Sequence, residues 1–369
     1  MNNYKKFIIA KILSISVMWT ISMLYLTRRV SPEVAVWLFF YSVAFVVLEY
    51  PTGVIGDVYG HKKSIVLSLI SALGISRILF QRPWQAYLAL TLHATGMSLL
   101  SGSTTALLKH IVQKDFKKKF PQSQAIVTAA RAAASLIAYL FTLSPLLAVV
   151  IPAIMALSAA VFQTISYTNH HDQKGNIFST AKQRQHIYSS KNLFIFLILI
   201  SCLLGLRYSI KTLVTIMENY YIIAVPVLTA VVSANFFVRT LGNISVHISK
   251  KTAIVSTALL LFSGIFIPKH NPYILLTRLI TLSYSITIID THIKIQITES
   301  TKTQVLATVL STFSLGRRLT GSLILFFSYI LKRYDYGTMI VSISILMITS
   351  ILYYSITKRK KTNQRERSE

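Results

Sequence analysis

Apolar runs of bilayer length recur from one end of this chain to the other, and that recurrence limits the fold more than any single motif does. Crossing the hydrocarbon takes roughly 20 apolar residues in a helix. About twelve stretches meet that need, at 7–27, 34–55, 64–81, 84–108, 122–142, 146–167, 192–212, 220–246, 252–268, 272–296, 303–331 and 335–357. A soluble chain would interrupt each run with polar positions at amphipathic spacing. Of the 369 residues, 53% are hydrophobic and 13% charged, against about a quarter charged in a soluble domain. The solvent that suits this surface is lipid, and the expected class is an all-α membrane protein with twelve transmembrane helices.

The 38 basic and 11 acidic residues give a net charge of +27. In a soluble protein that would suggest nucleic acid. Here most basic residues fall in short loops between apolar runs, so they set topology and meet anionic lipid headgroups, and no nucleic-acid partner is expected. With the N-terminus inside, the inner loops hold Lys5, Lys6, Lys62, Lys63, Lys109, Lys114, Lys117, Lys118 and Lys119. Further along come Lys174, Lys182, Arg184, Lys191, Lys250, Lys251, Lys302 and the tail from Lys358. The outer loops hold Arg28, Arg29, Arg82, Lys211, Lys269, Lys332 and Arg333, a roughly threefold asymmetry that places both termini in the cytoplasm. Lys5 and Lys6 precede an apolar stretch without a small-residue cleavage site, which reads as a first span of a cell-membrane protein, inner or plasma, and not a cleaved signal.

The longest polar stretch, Thr168 to Lys191, separates six runs from six. It defines a half at 1–167, a cytoplasmic linker at 168–191, a second half at 192–357 and a basic tail at 358–369. His170 and His171 in the linker read as a polar segment, and the lone Cys202 excludes a disulfide framework, so no metal site is expected.

Between the second and third spans stands Gly53-Val54-Ile55-Gly56-Asp57-Val58-Tyr59-Gly60-His61-Lys62-Lys63. Glycine permits close backbone approach and positive φ. An aspartate at a helix start meets the positive end of the helix dipole. An ordinary basic loop accounts for Lys62 and Lys63 but not for the Gly–Asp–Gly spacing.

This segment resembles the signature of the major facilitator superfamily, with Gly53, Asp57, Gly60, Lys62 and Lys63 matching and Val58 standing where the family carries Arg or Lys. Glu49-Tyr50-Pro51-Thr52-Gly53 is similar to a drug-efflux branch. So are Gly96 to Leu108, with Thr105 and His110 at positions usually acidic, and Leu306-Ala307-Thr308-Val309-Leu310-Ser311, with Leu306 in place of arginine. Gly242 precedes Lys251 as Gly53 precedes Lys62, with Val246 in the aspartate's place, as a diverged second copy would. The glycine–proline element of antiporters is not evident between Arg131 and Pro145. The resemblance implies two pseudo-symmetric six-helix halves, a monomer working by alternating access, and a gating role for Asp57 that locks the halves in the outward-facing state.

An ionisable group inside a span is costly and is a functional candidate. Lys11, Glu49, Arg77, Arg131, Arg207, Arg239, Asp290, Lys294, Arg317 and Arg318 lie within or near the spans. Asp290 is the leading proton-coupling candidate, with Glu49 and His93 behind it; the alternative for Asp290 is a static ion pair with Arg317 or Arg318. Arg131, Arg207 and Arg317 are candidates for the substrate cavity, whose surplus of arginine would suit an anionic group.

No nucleophile elbow, His–Glu metal motif or phosphate loop occurs, so neither an enzyme nor a bound cofactor is expected and the energy source would be the proton gradient. The expected function is proton-coupled export of a small toxic compound, an antibiotic or peptide-like toxin, in resistance or self-immunity. An importer of an organic anion or sugar, and a membrane sensor that has lost transport, remain alternatives.

Overall fold

The computed structural model describes residues 2–16, 34–78, 83–141, 147–166, 225–247, 272–301, 305–315 and 318. Among these the chain is helical and holds no strand. The helices are α1 (Asn3–Lys11, running into a π turn at Ile12–Ser16), α2 (Val34–Tyr59), α3 (His61–Ile78), α4 (Pro83–Val112), α5 (Phe116–Phe141) and α6 (Leu147–Gln163). They continue as α7 (Val225–Ile244), α8 (Pro272–Ser300) and α9 (306–315). Helices α2 to α8 lie near expected spans, α5 beginning earlier at Phe116, while the described parts of α1 and α9 cover only a portion of theirs. The seventh, ninth and twelfth spans, the linker and the tail lie outside the described residues.

Local chemistry explains several boundaries. Asn2 caps α1, its side chain accepting from the Tyr4 N–H. Gly60 turns α2 into α3 with a φ of 98°, a conformation that a side chain would strain. Pro51 removes an N–H inside α2, and beside it Thr52 shares its hydroxyl proton between the carbonyls of Leu48, at 2.9 Å, and Glu49, at 3.0 Å. The end of α6 is held by donors from elsewhere. Lys62 Nζ donates to the carbonyls of Gln163 (2.7 Å) and Ile165 (3.1 Å), Lys6 Nζ to Thr164 (2.9 Å), and Asn3 Nδ2 to Ser166 (2.7 Å). Cations suit these carbonyls, which carry the negative end of the helix dipole.

Helix α4 packs on α2 and α3, α6 on α3 and α1, and α7 on both α5 and α8. One core cluster joins Phe7, Ile65, Leu107, Phe116, Phe162, Val246 and Ile295 from separate elements, with Phe7 edge-on to Phe162. Val246 therefore serves as core, which is why its position needs no carboxylate.

Polarity is distributed inside out. Val47, Leu157, Phe237 and Ile244 are each more than half exposed, whereas Glu49, Asp57, His61, His93 and Asp290 are buried. Among the described residues no helix is long and apolar enough to cross a membrane by hydropathy. The described polar side chains within α2 and α4 are mostly buried or half-buried, whereas α8 exposes Gln296 and Glu299.

Candidate functional site

The three segments carrying the sequence resemblance meet at the basic end of the bundle. Helix α9 is antiparallel to α2 there, and its first turn presents backbone N–H groups that no carbonyl of the same helix can satisfy. The Asp57 carboxylate takes two of them, accepting from Ala307 N at 3.0 Å and Thr308 N at 2.8 Å. A carboxylate in this place gains both charge-assisted hydrogen bonds and the helix dipole.

Glycine makes that approach feasible. A Cβ on Gly53 would stand 2.8 Å from the Ser311 Cβ and 3.0 Å from the Thr308 Cα. A Cβ on Gly102, from α4, would collide with the Ala307 carbonyl. Residues 53 and 57 on one helix and 311 and 307 on the other follow matched i, i+4 steps, so the two surfaces interlock as they cross.

Four residues beyond Gly53, the Glu49 carboxylate lies 3.7 Å from the Arg318 guanidinium and is fully buried. Arg318 also covers the Phe45 ring, 3.2 Å from its centroid. His93 of α4 is buried nearby, stacked on Tyr41 at 5.5 Å and within the electrostatic reach of Arg318. Glu49 and His93, separated by more than forty positions in sequence, thus belong to one buried group of titratable side chains on the α2–α4–α9 interface.

Asp290 sits elsewhere. Its carboxylate accepts from Lys294 Nζ at 2.8 Å, one turn along α8. Arg318, considered as a partner for it, stands beside Glu49; Arg317 and Arg207 lie outside the described residues. Arg131 on α5 places its guanidinium 5.8 Å from the Phe236 ring centroid, and Arg239 approaches the same ring at 5.3 Å. Of the basic pair, Lys62 clasps α6 and Lys63 is exposed. Partial burial, with the charge of Lys6, lowers the pKa of Lys62.

A second polar seam joins α5 to α7. Ser233 Oγ donates to the Ala132 carbonyl at 2.9 Å and Thr240 Oγ1 lies 3.0 Å from Thr128 Oγ1. Asn243 extends the network to α8, its Oδ1 accepting from Thr291 at 2.9 Å. Sequence reading missed this seam, since isolated Ser, Thr and Asn residues in apolar runs carry no spacing signal. It also missed the approach of His61 to His110, whose rings lie 5.5 Å apart. Among the described residues no three His, Cys, Asp or Glu side chains gather as a metal site would need.

A buried carboxylate gripping a helix start, beside glycines that let two helices touch, defines a contact that can be made and broken as a unit. The family model of the Major Facilitator Superfamily matches residues 7–324, and the chain belongs to that family of integral membrane transporters. Among solved structures it is similar to the nucleoside transporter NupG, with a TM-score of 0.66 at 14% identity over 96% of this chain and 99% of that one. It is also similar to the transporter FucP in its outward conformation, with a TM-score of 0.67 at 13% identity over 95% and 98% of the two chains. At these identities the likeness is one of fold. No curated protein matches the sequence.

Proposed function

We propose that this transporter exports a small toxic compound, an antibiotic or a peptide-like toxin, in exchange for protons by alternating access. The observation that carries the reading is the convergence on Asp57. The efflux-like segments around Gly53, Gly102 and Ala307 are far apart in sequence, yet they build one contact. Small residues and a carboxylate at those positions have a joint physical purpose, which is to close the basic, cytoplasmic end while the other end admits or releases substrate.

The layout expected is two six-helix halves, residues 1–167 and 192–357. The seams support it: the second span meets the eleventh, and the fifth meets the eighth. Adding six to one member of each pair and subtracting six from the other exchanges the two seams, as two repeats about a pseudo-two-fold axis require.

Coupling needs a group that changes charge as the halves part. The Asp290–Lys294 pair lies within one helix and survives any rigid movement of it. The Glu49–Arg318 pair joins two segments that separate in alternating access, so the cycle would expose a carboxylate that is buried in this state. Glu49 is therefore the first coupling residue proposed, with His93 beside it, and Asp290 is the second.

Inverted vesicles from expressing cells test this, using a compound identified by a resistance screen. Wild type should release protons from an acidified lumen on substrate addition. Glu49→Gln should abolish gradient-driven transport while retaining substrate exchange, and Asp290→Asn should lower it less. Wild-type pumping against a substrate gradient after proton collapse would exclude proton coupling. Normal pumping by both variants would place the coupling residue elsewhere.

A further inference from the structure

Tyr41, Phe45, Glu49, Gly53 and Asp57 follow one another in i, i+4 steps and form one ridge of α2. At its cytoplasmic end Asp57 meets Ala307 and Thr308, and Gly53 follows against Ser311. Farther along, the same ridge reaches Arg318. The guanidinium carbon lies 3.2 Å from the Phe45 ring centroid, and Nε lies 3.7 Å from the Glu49 carboxylate. Twelve positions separate Phe45 from Asp57, about 18 Å along a helix. The two contacts therefore grip the α9 segment at separate depths.

The ring is itself braced. Phe45 is fully buried, and Tyr41 meets it edge-on with the centroids 5.6 Å apart. His93 in turn stacks on Tyr41. Arg318 is 9% exposed, so water competes little for its charge. Its two neighbours on the ridge differ in kind. A carboxylate attracts a guanidinium through its charge and loses that attraction when neutral. An aromatic face attracts it through the ring quadrupole, which no proton alters, and most strongly where water is excluded.

We propose that Phe45 is a positioning residue whose ring holds the Arg318 guanidinium against α2 and goes on holding it when Glu49 is neutral. A titratable hold and a permanent one then stand side by side. Neutralising Glu49 loosens the α9 segment without freeing it, and release from the ring takes movement of the helices. The proposal rests on the Glu49 coupling reading only for its place in the transport cycle; the ring contact is independent of proton coupling.

The test is amide hydrogen exchange across α9 in the full chain, reconstituted in nanodiscs, with Phe45 replaced in turn by mono-, di- and trifluorophenylalanine. Fluorine withdraws electron density from the ring face in steps and leaves the shape nearly unchanged, which separates electrostatics from packing. Protection of the 306–315 amides should fall with each fluorine, by roughly tenfold across the series for a desolvated cation–π pair. The fall should be steeper in a Glu49→Gln background, where the ring carries more of the hold. The same series at Phe162, whose ring packs on Phe7, should leave α9 unchanged. Flat protection across the fluorine series, with a fall only in Phe45→Leu, would reduce the ring to packing and overturn the proposal. An equal fall with and without Glu49 would overturn the sharing of Arg318 between the two. Normal pumping by Glu49→Gln would defeat the coupling reading and leave the exchange result to decide the role of Phe45.

Discussion

The α2–α9 and α5–α7 seams are built from different materials. The first is close-fitting and highly charged. Glycines remove side-chain bulk, Asp57 takes two N–H groups of one helix turn, and Glu49 faces Arg318. The second carries modest neutral hydrogen bonds from Ser233, Thr240 and Asn243, with Arg131 lying over Phe236 as its charged contact. Charge-assisted hydrogen bonds contribute roughly 1.5–3 kcal/mol each and neutral ones about 0.5–1.5. A seam of the first type holds until it fails together. One of the second type can lose a bond at a time as helices slide.

The largest expected effect comes from filling the first seam. Gly102→Ala puts a methyl group against the Ala307 carbonyl, and overpacking of this kind costs about 1–3 kcal/mol. Transport should fall by tenfold or more, read as initial flux in vesicles. Gly242→Ala, where α7 meets α8 and the added carbon would lie 3.0 Å from the Tyr284 carbonyl, should cost less. Equal losses would show that the α2–α9 contact is no tighter than that neighbouring crossing.

Next comes Asp57→Asn, which keeps shape while removing the charge that meets the α9 dipole. Flux should fall roughly ten- to a hundredfold, in keeping with one or two charge-assisted bonds, while substrate affinity at equilibrium survives. A variant that transports at the wild-type rate would strip Asp57 of its gating role.

The smallest effect belongs to the second seam. Thr240→Val preserves volume and deletes the bond to Thr128, costing about 1 kcal/mol. Flux should change by less than about fivefold, and a collapse comparable with that of Asp57→Asn would show that the neutral seam is also a latch.

What could be read from the sequence follows from how sharply each residue is constrained. Gly53, Gly60 and Asp57 were legible because close approach, positive φ and a helix start each demand a particular residue type. That Asp57 grips Ala307 and Thr308 was not, since nothing local to either segment specifies a partner 250 residues away. The Asp290–Lys294 pair follows the i, i+4 spacing of a helix face and was legible in the sequence on that ground. Lys11 gave the weakest signal: a lysine near a span's start is ordinarily an interfacial anchor, and nothing in the sequence marks this one as buried.

The clasp at the end of α6 has a mechanical consequence. Asn3, Lys6 and Lys62 hold four successive backbone carbonyls, from Gln163 to Ser166, and thereby tie the start of the chain, the α2–α3 corner and the end of α6 into one joint. A corner braced on two sides turns as a lever and cannot fold up by itself. In the proposed cycle, release of Asp57 would therefore show as displacement of α9, with the braced corner as the fulcrum.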